Sequence, residues 1–267
     1  MADGAGTPGD PTTELRRLVD DLHDHVARVE ALAAGGGHAL AGDARAVGDR
    51  LRSEKPHPGE QRWPVALAVS VAIALQVVLP DRLTFGPSYL LPVLEGALLV
   101  GLTAANPRRI DRTSRALRTA SLALIALTSL ANGWSSGELV AELIGGTAGK
   151  TAGPLLASGA SIYLTNVIVF SLWYWEMDAG GPVARTRPGG APPDFLFPQI
   201  TQPGVAPDRW RPTYLDYVYT SYTNATAFSP TDVMPLTHRA KALMALQSAV
   251  ALATVALVVA RAVNVLS

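Results

Sequence analysis

The chain has 267 residues, of which 48% are apolar and only 16% are charged, whereas charged residues make up roughly 25% of a typical soluble domain. The formal net charge is zero, so no strongly basic surface points to nucleic acid as a partner. The chain has no cysteine, which excludes disulfides and thiolate chemistry. Charge is dense before Trp63 and sparse after it, which indicates a membrane-embedded chain that follows a soluble N-terminal region.

The N-terminal region lacks the apolar core of a signal peptide. Residues 1–10 are small and acidic and are predicted to be disordered. A soluble helical region is predicted over 11–55, with Pro11 at the first helical position. Its apolar residues alternate at spacings of four and three, which is the rhythm of a short coiled coil. This cytoplasmic helix either drives oligomerisation or lies on the surface of its own membrane domain.

Five apolar segments are predicted to cross a bilayer: residues 64–80, 89–105, 116–132, 153–177 and 242–266. About 17 residues, at roughly 1.5 Å each, are just enough for a hydrocarbon core of about 30 Å. Interfacial residues flank them, such as Trp63 before the first segment and the Trp173-Tyr174-Trp175 run near the end of the fourth. The expected fold is therefore all-α, an integral membrane helical bundle in the cell membrane, with about five transmembrane helices, four of them within 64–177.

The connection 106–118 contains five arginines, which predicts a cytoplasmic position. If the N-terminus is also cytoplasmic, the fourth crossing returns the chain to the same side. Residues 178–240 would then be cytoplasmic too, in agreement with the arginines of that stretch. Residues 133–152 are too short and too acidic to cross and predict a short re-entrant or interfacial helix. Residues 178–212 are rich in Pro and Gly and predict an irregular loop.

The segment 213–267 begins with an unusual pattern. Residues 214–226 are too polar to face lipid and too short to cross a bilayer. Pro230 and Pro235 then prevent a continuous helix. A short helix followed by extended chain, held between two spanning helices, is the layout of a pore loop. The candidate pore-loop residues are Thr223, Asn224, Thr226, Phe228, Ser229, Pro230, Thr231 and Asp232.

Residues 217–263 resemble the pore-loop potassium-channel superfamily. In that family a Thr-rich pore helix leads into Thr-Val-Gly-Tyr-Gly-Asp, followed by Pro, Thr and a basic residue. The landmarks after the filter are matched here by Asp232, Pro235, Thr237 and Lys241. The filter itself is replaced by Ala-Phe-Ser-Pro-Thr at 227–231, without the glycines whose backbone freedom the filter needs. The resemblance thus implies a pore layout without potassium selectivity.

The same region also resembles a bacterial family of small multi-pass membrane proteins of unknown function. The shared patterns are Tyr-Leu-Asp-Tyr-Val-Tyr at 214–219, the stretch 226–232, and Ala-Val-Asn at 262–264. This resemblance covers about the last 110 residues and implies no activity.

Two polar residues fall within predicted spans. Glu95 is either a functional intramembrane group or a structural partner of Gln76 or Asn166. Asn166 is expected to hold helices together through a hydrogen bond. Asp232 is either a charge at a pore mouth or the N-cap of the last helix.

The sequence contains no catalytic or metal-binding motif, so we expect no enzyme activity, no metal site and no cofactor. The leading hypothesis is a channel-like or transport-related homo-oligomer in the lipid bilayer, with ions as candidate passengers. The alternative is a non-transporting scaffold or partner-binding membrane protein. The predicted orientation opposes a conventional channel, whose pore loop lies on the outer side, unless residues 136–150 make an extra crossing.

Overall fold

The computed structural model describes residues 59–105, 109–110, 114–147, 151–185, 191–201, 210–227 and 232–266. All of them belong to one compact unit, Leu51–Ser267. The predicted disordered segment 1–10 and the helical region 11–55 lie outside these residues. The described chain is mostly helical, which confirms the all-α class.

The helices and strands have simple bounds. The α-helices are α1 Trp63–Val78, α2 Leu90–Ala105, α3 Arg115–Ile144, α4 Ala152–Met177, α5 Pro182–Arg185, α6 Pro198–Thr201, α7 Tyr214–Ala227 and α8 His238–Leu266. Two antiparallel strand pairs link distant parts of the chain: β1 Glu60–Gln61 with β2 Arg109–Ile110, and β3 Phe195–Leu196 with β4 Met234–Pro235. Short 3₁₀ turns lie at Asp81–Leu83 and Asp178–Gly180.

A helix covers most of each of the five predicted apolar segments. Two of these helices, α4 and α8, are long and apolar enough to cross a membrane by length and composition, whereas α1 and α2 are shorter apolar helices. The apolar runs favour helix here because a buried or lipid-facing backbone must satisfy its own hydrogen bonds within the segment.

Helix α3 corrects the prediction for residues 133–152. No separate re-entrant or interfacial helix begins there, because α3 continues without a break to Ile144. Its serines do not interrupt it: Ser135 Oγ donates to the Ala131 carbonyl at 3.0 Å, and Ser136 Oγ lies 3.1 Å from Thr254 Oγ1 on α8. The break comes only at the pair of glycines after Ile144, where Gly146 has a φ of 70°.

Helix α4 is the centre of the bundle and contacts α1, α3, α7 and α8. Small residues on α4 allow these neighbours to come close, as in many membrane helix pairs. A close approach is at Gly159, where an added Cβ would lie 2.9 Å from both Cγ atoms of Val258 on α8.

Contacts between the helix ends define two opposite ends of the bundle. At one, here called the arginine end, Arg62 Nε reaches Thr103 Oγ1 at 3.4 Å and Arg118 Nε lies 3.8 Å from Glu176 Oε1. The ends of α2 and α4 and the starts of α1 and α3 therefore lie together. At the distal end, Arg82 Nε pairs with Glu142 at 2.9 Å.

Replacing Gly159 by alanine should destabilise the fold, because the new methyl group overlaps Val258. We expect a loss of about 1–3 kcal/mol in the free energy of unfolding in detergent, the usual cost of an overpacked contact. The double variant Gly159→Ala, Val258→Ala should recover part of the loss. Gly153→Ala, on the same helix but with no neighbour within 4 Å, is the matched control. Equal stability of Gly159→Ala and Gly153→Ala would contradict the close α4–α8 approach.

Candidate functional site

Helix α7 runs back into the bundle alongside α4. It starts beside the end of α4, where the Tyr214 hydroxyl lies 2.9 Å from Ser171 Oγ. About two turns later, Ser221 Oγ donates to the Val167 carbonyl at 2.7 Å. Near its end, Ala225 packs with Val167 and with Ala251 of α8. The two helices are therefore antiparallel.

The depth that α7 reaches follows from these contacts. Val167 lies ten residues before Met177, the last residue of α4, which is about 15 Å along a helix. This is roughly half of a hydrocarbon core of about 30 Å. Helix α7 therefore enters the bundle from the arginine end and stops about halfway.

The chain then returns to the end from which it entered. Leu236 N donates to the Asp194 carbonyl at 2.8 Å, and β4 pairs with β3 in the loop after α4. Helix α8 begins directly afterwards at His238. We call residues 214–237 the re-entrant segment, since they enter and leave at the arginine end.

A hydrogen-bonded cluster fixes the inner face of α7 to α4 and α8. Asn224 Nδ2 donates to Gln247 Oε1 at 2.8 Å and to the Met244 carbonyl at 2.9 Å. Gln247 Nε2 donates to Ser221 Oγ at 2.6 Å, and the Tyr174 hydroxyl donates to Gln247 Oε1 at 2.6 Å. Asn224 is only 2% exposed, so within the subunit it anchors α7 and faces the bundle interior.

A second anchor is the carboxylate of Asp178, just after α4. Its Oδ1 accepts from the backbone N–H groups of Asp194 and Phe195, at 2.6 and 3.2 Å. Its Oδ2 accepts from the Tyr217 hydroxyl of α7. Burial raises the pKa of Asp178, while the Arg185 charge and these three hydrogen bonds oppose the shift. The side chain joins α4, the following loop and α7 at one point.

Arg185 lies beside this carboxylate and ties the N-terminal strand to it. Its guanidinium donates to the carbonyls of Trp175 and Asp178 at 2.6 and 2.9 Å and to Glu60 at 2.8 Å. It also lies 5.1 Å above the ring of Tyr217, within the range of a cation–π contact. Strand β1 is thereby connected to the start of α7.

The third anchor joins the loop to the start of α8. Both oxygens of Asp194 accept from Arg239, each at 2.7 Å, and Oδ1 also accepts from Thr237 Oγ1 at 2.5 Å. Asp194 has no exposed surface, whereas the Arg239 side chain is 59% exposed. The two bonds between Asp194 and Arg239 fix the point at which the re-entrant segment ends.

The predicted pore-loop residues take several positions. Phe228, Ser229, Pro230 and Thr231 lie outside the described residues. Thr223 and Thr226 bond to carbonyls of their own helix at 3.0 and 2.9 Å, and Thr226 is exposed. Asp232 is exposed and accepts from the Tyr219 hydroxyl at 3.2 Å.

The alternative role of Asp232, as the N-cap of the last helix, is wrong. Helix α8 begins at His238, six residues later. Thr237 provides the cap, because its Oγ1 accepts from Ala240 N at 3.3 Å. The cap position is one that serine, threonine and aspartate all favour, so composition could not distinguish them.

The two intramembrane candidates have different surroundings. Glu95 is fully buried, and Gln76 Nε2 donates to its two oxygens at 3.0 and 3.3 Å, which confirms the expected bond to Gln76. Asn166 is also buried, yet its carboxamide has no hydrogen-bond partner in the described part of the chain. The predicted bond from Asn166 to a neighbouring helix is therefore not formed there.

The sequence interpretation missed Asp178, Arg185 and Asp194. They lie in or beside a stretch whose Pro and Gly content predicted only an irregular loop. The sequence does place an acidic residue, Asp178, directly after an apolar helix and another, Asp194, before Phe195. Their partners Tyr217 and Arg239 lie 39 and 45 positions further on, so no local pattern indicates the pairing. In the described ranges, no group of three or more His, Cys, Asp or Glu side chains could hold a metal ion.

Comparison with known proteins adds no relative. No protein-family model, no curated protein and no solved structure matches the chain.

Replacing Tyr217 by phenylalanine should weaken the Asp178 anchor while keeping the ring beneath Arg185. Hydrogen bonds to charged groups contribute about 1.5–3 kcal/mol, and we expect the free energy of unfolding to fall by about that amount. Tyr219→Phe is the matched control, because that hydroxyl bonds to exposed Asp232 and should change stability by less than about 0.5 kcal/mol. Thermal or denaturant unfolding of both variants in detergent measures the difference. Indistinguishable variants would show that the Asp178 contact does not hold α7.

Proposed function

We propose that the chain is a multi-pass membrane protein that crosses the bilayer with α1, α2, α3, α4 and α8. The distribution of polarity supports this proposal, because large apolar side chains are exposed along these helices while several polar side chains of the same helices are buried. Large apolar side chains on four of these helices are 63% to 73% exposed: Val78, Val100, Leu130 and Val263. Polar side chains on the same four helices are 5% exposed or less: Gln76, Glu95, Thr128, Gln247 and Thr254.

The charges at the two ends support an orientation with the arginine end in the cytoplasm. Described arginines and lysines at the arginine end are Arg62, Arg109, Arg115, Arg118, Arg185, Arg211, Arg239 and Lys241, whereas Arg82, in the turn after α1, and Arg261, near the end of α8, lie toward the distal end. Short loops rich in Lys and Arg remain in the cytoplasm. The strand pair β1–β2 places the start of α1 at that same end.

We propose further that the re-entrant segment forms a channel-like, transport-related unit in a homo-oligomer. The observation that carries this proposal is the half-depth stop of α7 between two long apolar helices. Non-helical backbone at membrane depth is tolerated only where it is buried in protein or faces water. The outward face of α7 carries exposed Tyr219, Tyr222 and Thr226, which favours copies of the chain arranged around a shared wet centre, with ions as passengers.

This unit differs from a conventional pore-loop channel in its orientation. Helix α3 is continuous from Arg115 to Ile144, so it offers no extra crossing over residues 136–150. With the arginine end in the cytoplasm, the re-entrant segment opens to the cytoplasm, whereas a potassium-channel pore loop opens to the outside.

The second candidate function is a non-transporting scaffold. The inner polar groups of α7 are engaged within the chain, and the Asp178 and Asp194 anchors fasten the loop after α4. A loop held this firmly at the arginine end suits a cytoplasmic partner protein. Ion flux separates the two candidates, because a scaffold carries none.

Single cysteines test the orientation, since the natural chain has none. Ala191→Cys lies in the exposed loop at the arginine end, and Asp81→Cys lies in the exposed turn at the distal end. In intact cells, an impermeant thiol reagent should label position 81 and should label position 191 only after permeabilisation. The reverse pattern would place the re-entrant segment on the outer side.

Ion flux through liposomes tests the channel-like unit. Purified protein should raise flux above that of empty vesicles, and Asp232→Ala should lower it several-fold, because that exposed carboxylate lies within the re-entrant segment, beside Tyr219. Asp81→Ala, which removes an exposed carboxylate at the distal end, should leave flux unchanged. Flux equal to that of empty vesicles would refute transport and favour the scaffold.

A further inference from the structure

A buried carboxamide on the central helix marks a second polar site, apart from the re-entrant segment. Asn166 on α4 is 1% exposed. Neither its Nδ2 nor its Oδ1 forms a hydrogen bond with another described residue. Burying an amide without partners is costly, so this position needs a ligand that supplies them.

The direction in which Asn166 points follows from two contacts on the same face of α4. Residues seven apart on a helix share a face, because seven residues make about two turns. Seven residues after Asn166, Trp173 Nε1 donates to Ser129 Oγ of α3 at 2.9 Å. Seven residues before it, Gly159 closely approaches Val258 of α8. Asn166 therefore faces the seam between α3 and α8.

The depth of Asn166 identifies its neighbours on those two helices. Both α3 and α8 run antiparallel to α4, so seven residues along α4 correspond to about seven in the opposite sense on each neighbour. On α3 this count leads from Ser129 to Ser136. On α8 it leads to Ala251, less than one turn from Thr254. Ser136 Oγ lies 3.1 Å from Thr254 Oγ1, so this buried pair of hydroxyls lies across the seam at the depth of Asn166.

The chemistry of the carboxamide selects the ligand. Nδ2 has two protons to donate and Oδ1 accepts, and both atoms need a partner. A metal cation would satisfy only the oxygen and an anion only the nitrogen, whereas water both donates and accepts. The hydrogen bond between the Ser136 and Thr254 hydroxyls uses one of their two protons, so the pair can also donate to a water oxygen. The facing side chains, Ser136, Ala251 and Thr254, are small, which suits a ligand of this size.

We propose that Asn166 holds an internal water site, in which ordered water bridges its carboxamide to the Ser136–Thr254 pair and so joins α4 to α3 and α8. Asn166 lies eleven residues before Met177 at the end of α4, or about 16 Å, which is roughly half of a hydrocarbon core. Its side chain points about 100° away from that of Val167, which packs against α7. The site is therefore separate from the re-entrant segment, and absence of ion flux in liposomes leaves the proposal intact.

Nuclear magnetic resonance of the full chain in nanodiscs, isotope-labelled at asparagine, tests for the water. The side-chain NH₂ protons of Asn166 should show cross-peaks to water with opposite signs in NOESY and ROESY spectra, which distinguishes contact from proton exchange. Asn166→Leu assigns this signal by removing it. Asn224 is the matched control, because it is 2% exposed and donates to Gln247 Oε1 and to the Met244 carbonyl, so it should show no water contact. An Asn166 signal no closer to water than that of Asn224 would overturn the proposal.

A double-variant comparison tests which groups the water bridges. Asn166→Leu and Ser136→Ala should each lower the unfolding temperature in detergent, and together they should lower it by less than the sum, because either change alone breaks the bridge. Ser129→Ala, on the same face of α3 but two turns away, is the matched control, and its effect should add to that of Asn166→Leu. Additive effects of Asn166→Leu and Ser136→Ala would refute the bridge. A higher unfolding temperature for Asn166→Leu would refute it too, since that is the result expected of a carboxamide without a ligand.

Discussion

The carboxylate of Asp178 is the contact on which the arginine end depends. It lies directly after the central helix α4 and accepts from the backbone at Asp194 and Phe195 and from Tyr217 of α7. Once these bonds form, strand β3 is in place to pair with β4. Asp194 is then positioned to receive Arg239 at the start of α8. A single side chain thus sets both the entry and the exit of the re-entrant segment.

The polar groups buried in the bundle explain why such pairs are needed. An interior that contains Glu95, Asn224 and Gln247 must satisfy each polar group with a defined partner. The partners come from different helices, so each bond also fixes a helix register. Asn166 is the exception, since its carboxamide lacks a partner among the described residues, and a buried group of this kind commonly binds a water molecule.

The features that the sequence predicted correctly are those that depend on a local pattern of residues. The five long helices follow from the lengths of their apolar runs, and the short helix before Pro230 follows from polar residues followed by proline. Residues 133–152 were misjudged because the stretch is too short and too acidic to cross a bilayer by itself, while the bond from Ser136 to Thr254 comes from a helix more than a hundred positions away. The bond from Asp178 to Tyr217 likewise spans 39 positions, and no local period encodes it. The pairing of Glu95 with Gln76 was within reach, because both are isolated polar residues on successive apolar segments.

The re-entrant segment and the cleft beside Gln76 lie at opposite ends of one bundle. The re-entrant segment enters from the arginine end, whereas the cleft beside Gln76 is bordered by the turn that follows α1, at the distal end. Helix α1 contacts α4, and α4 contacts α7, so the two ends are joined through packed helices. Packed helices transmit displacement because their interiors leave little free volume.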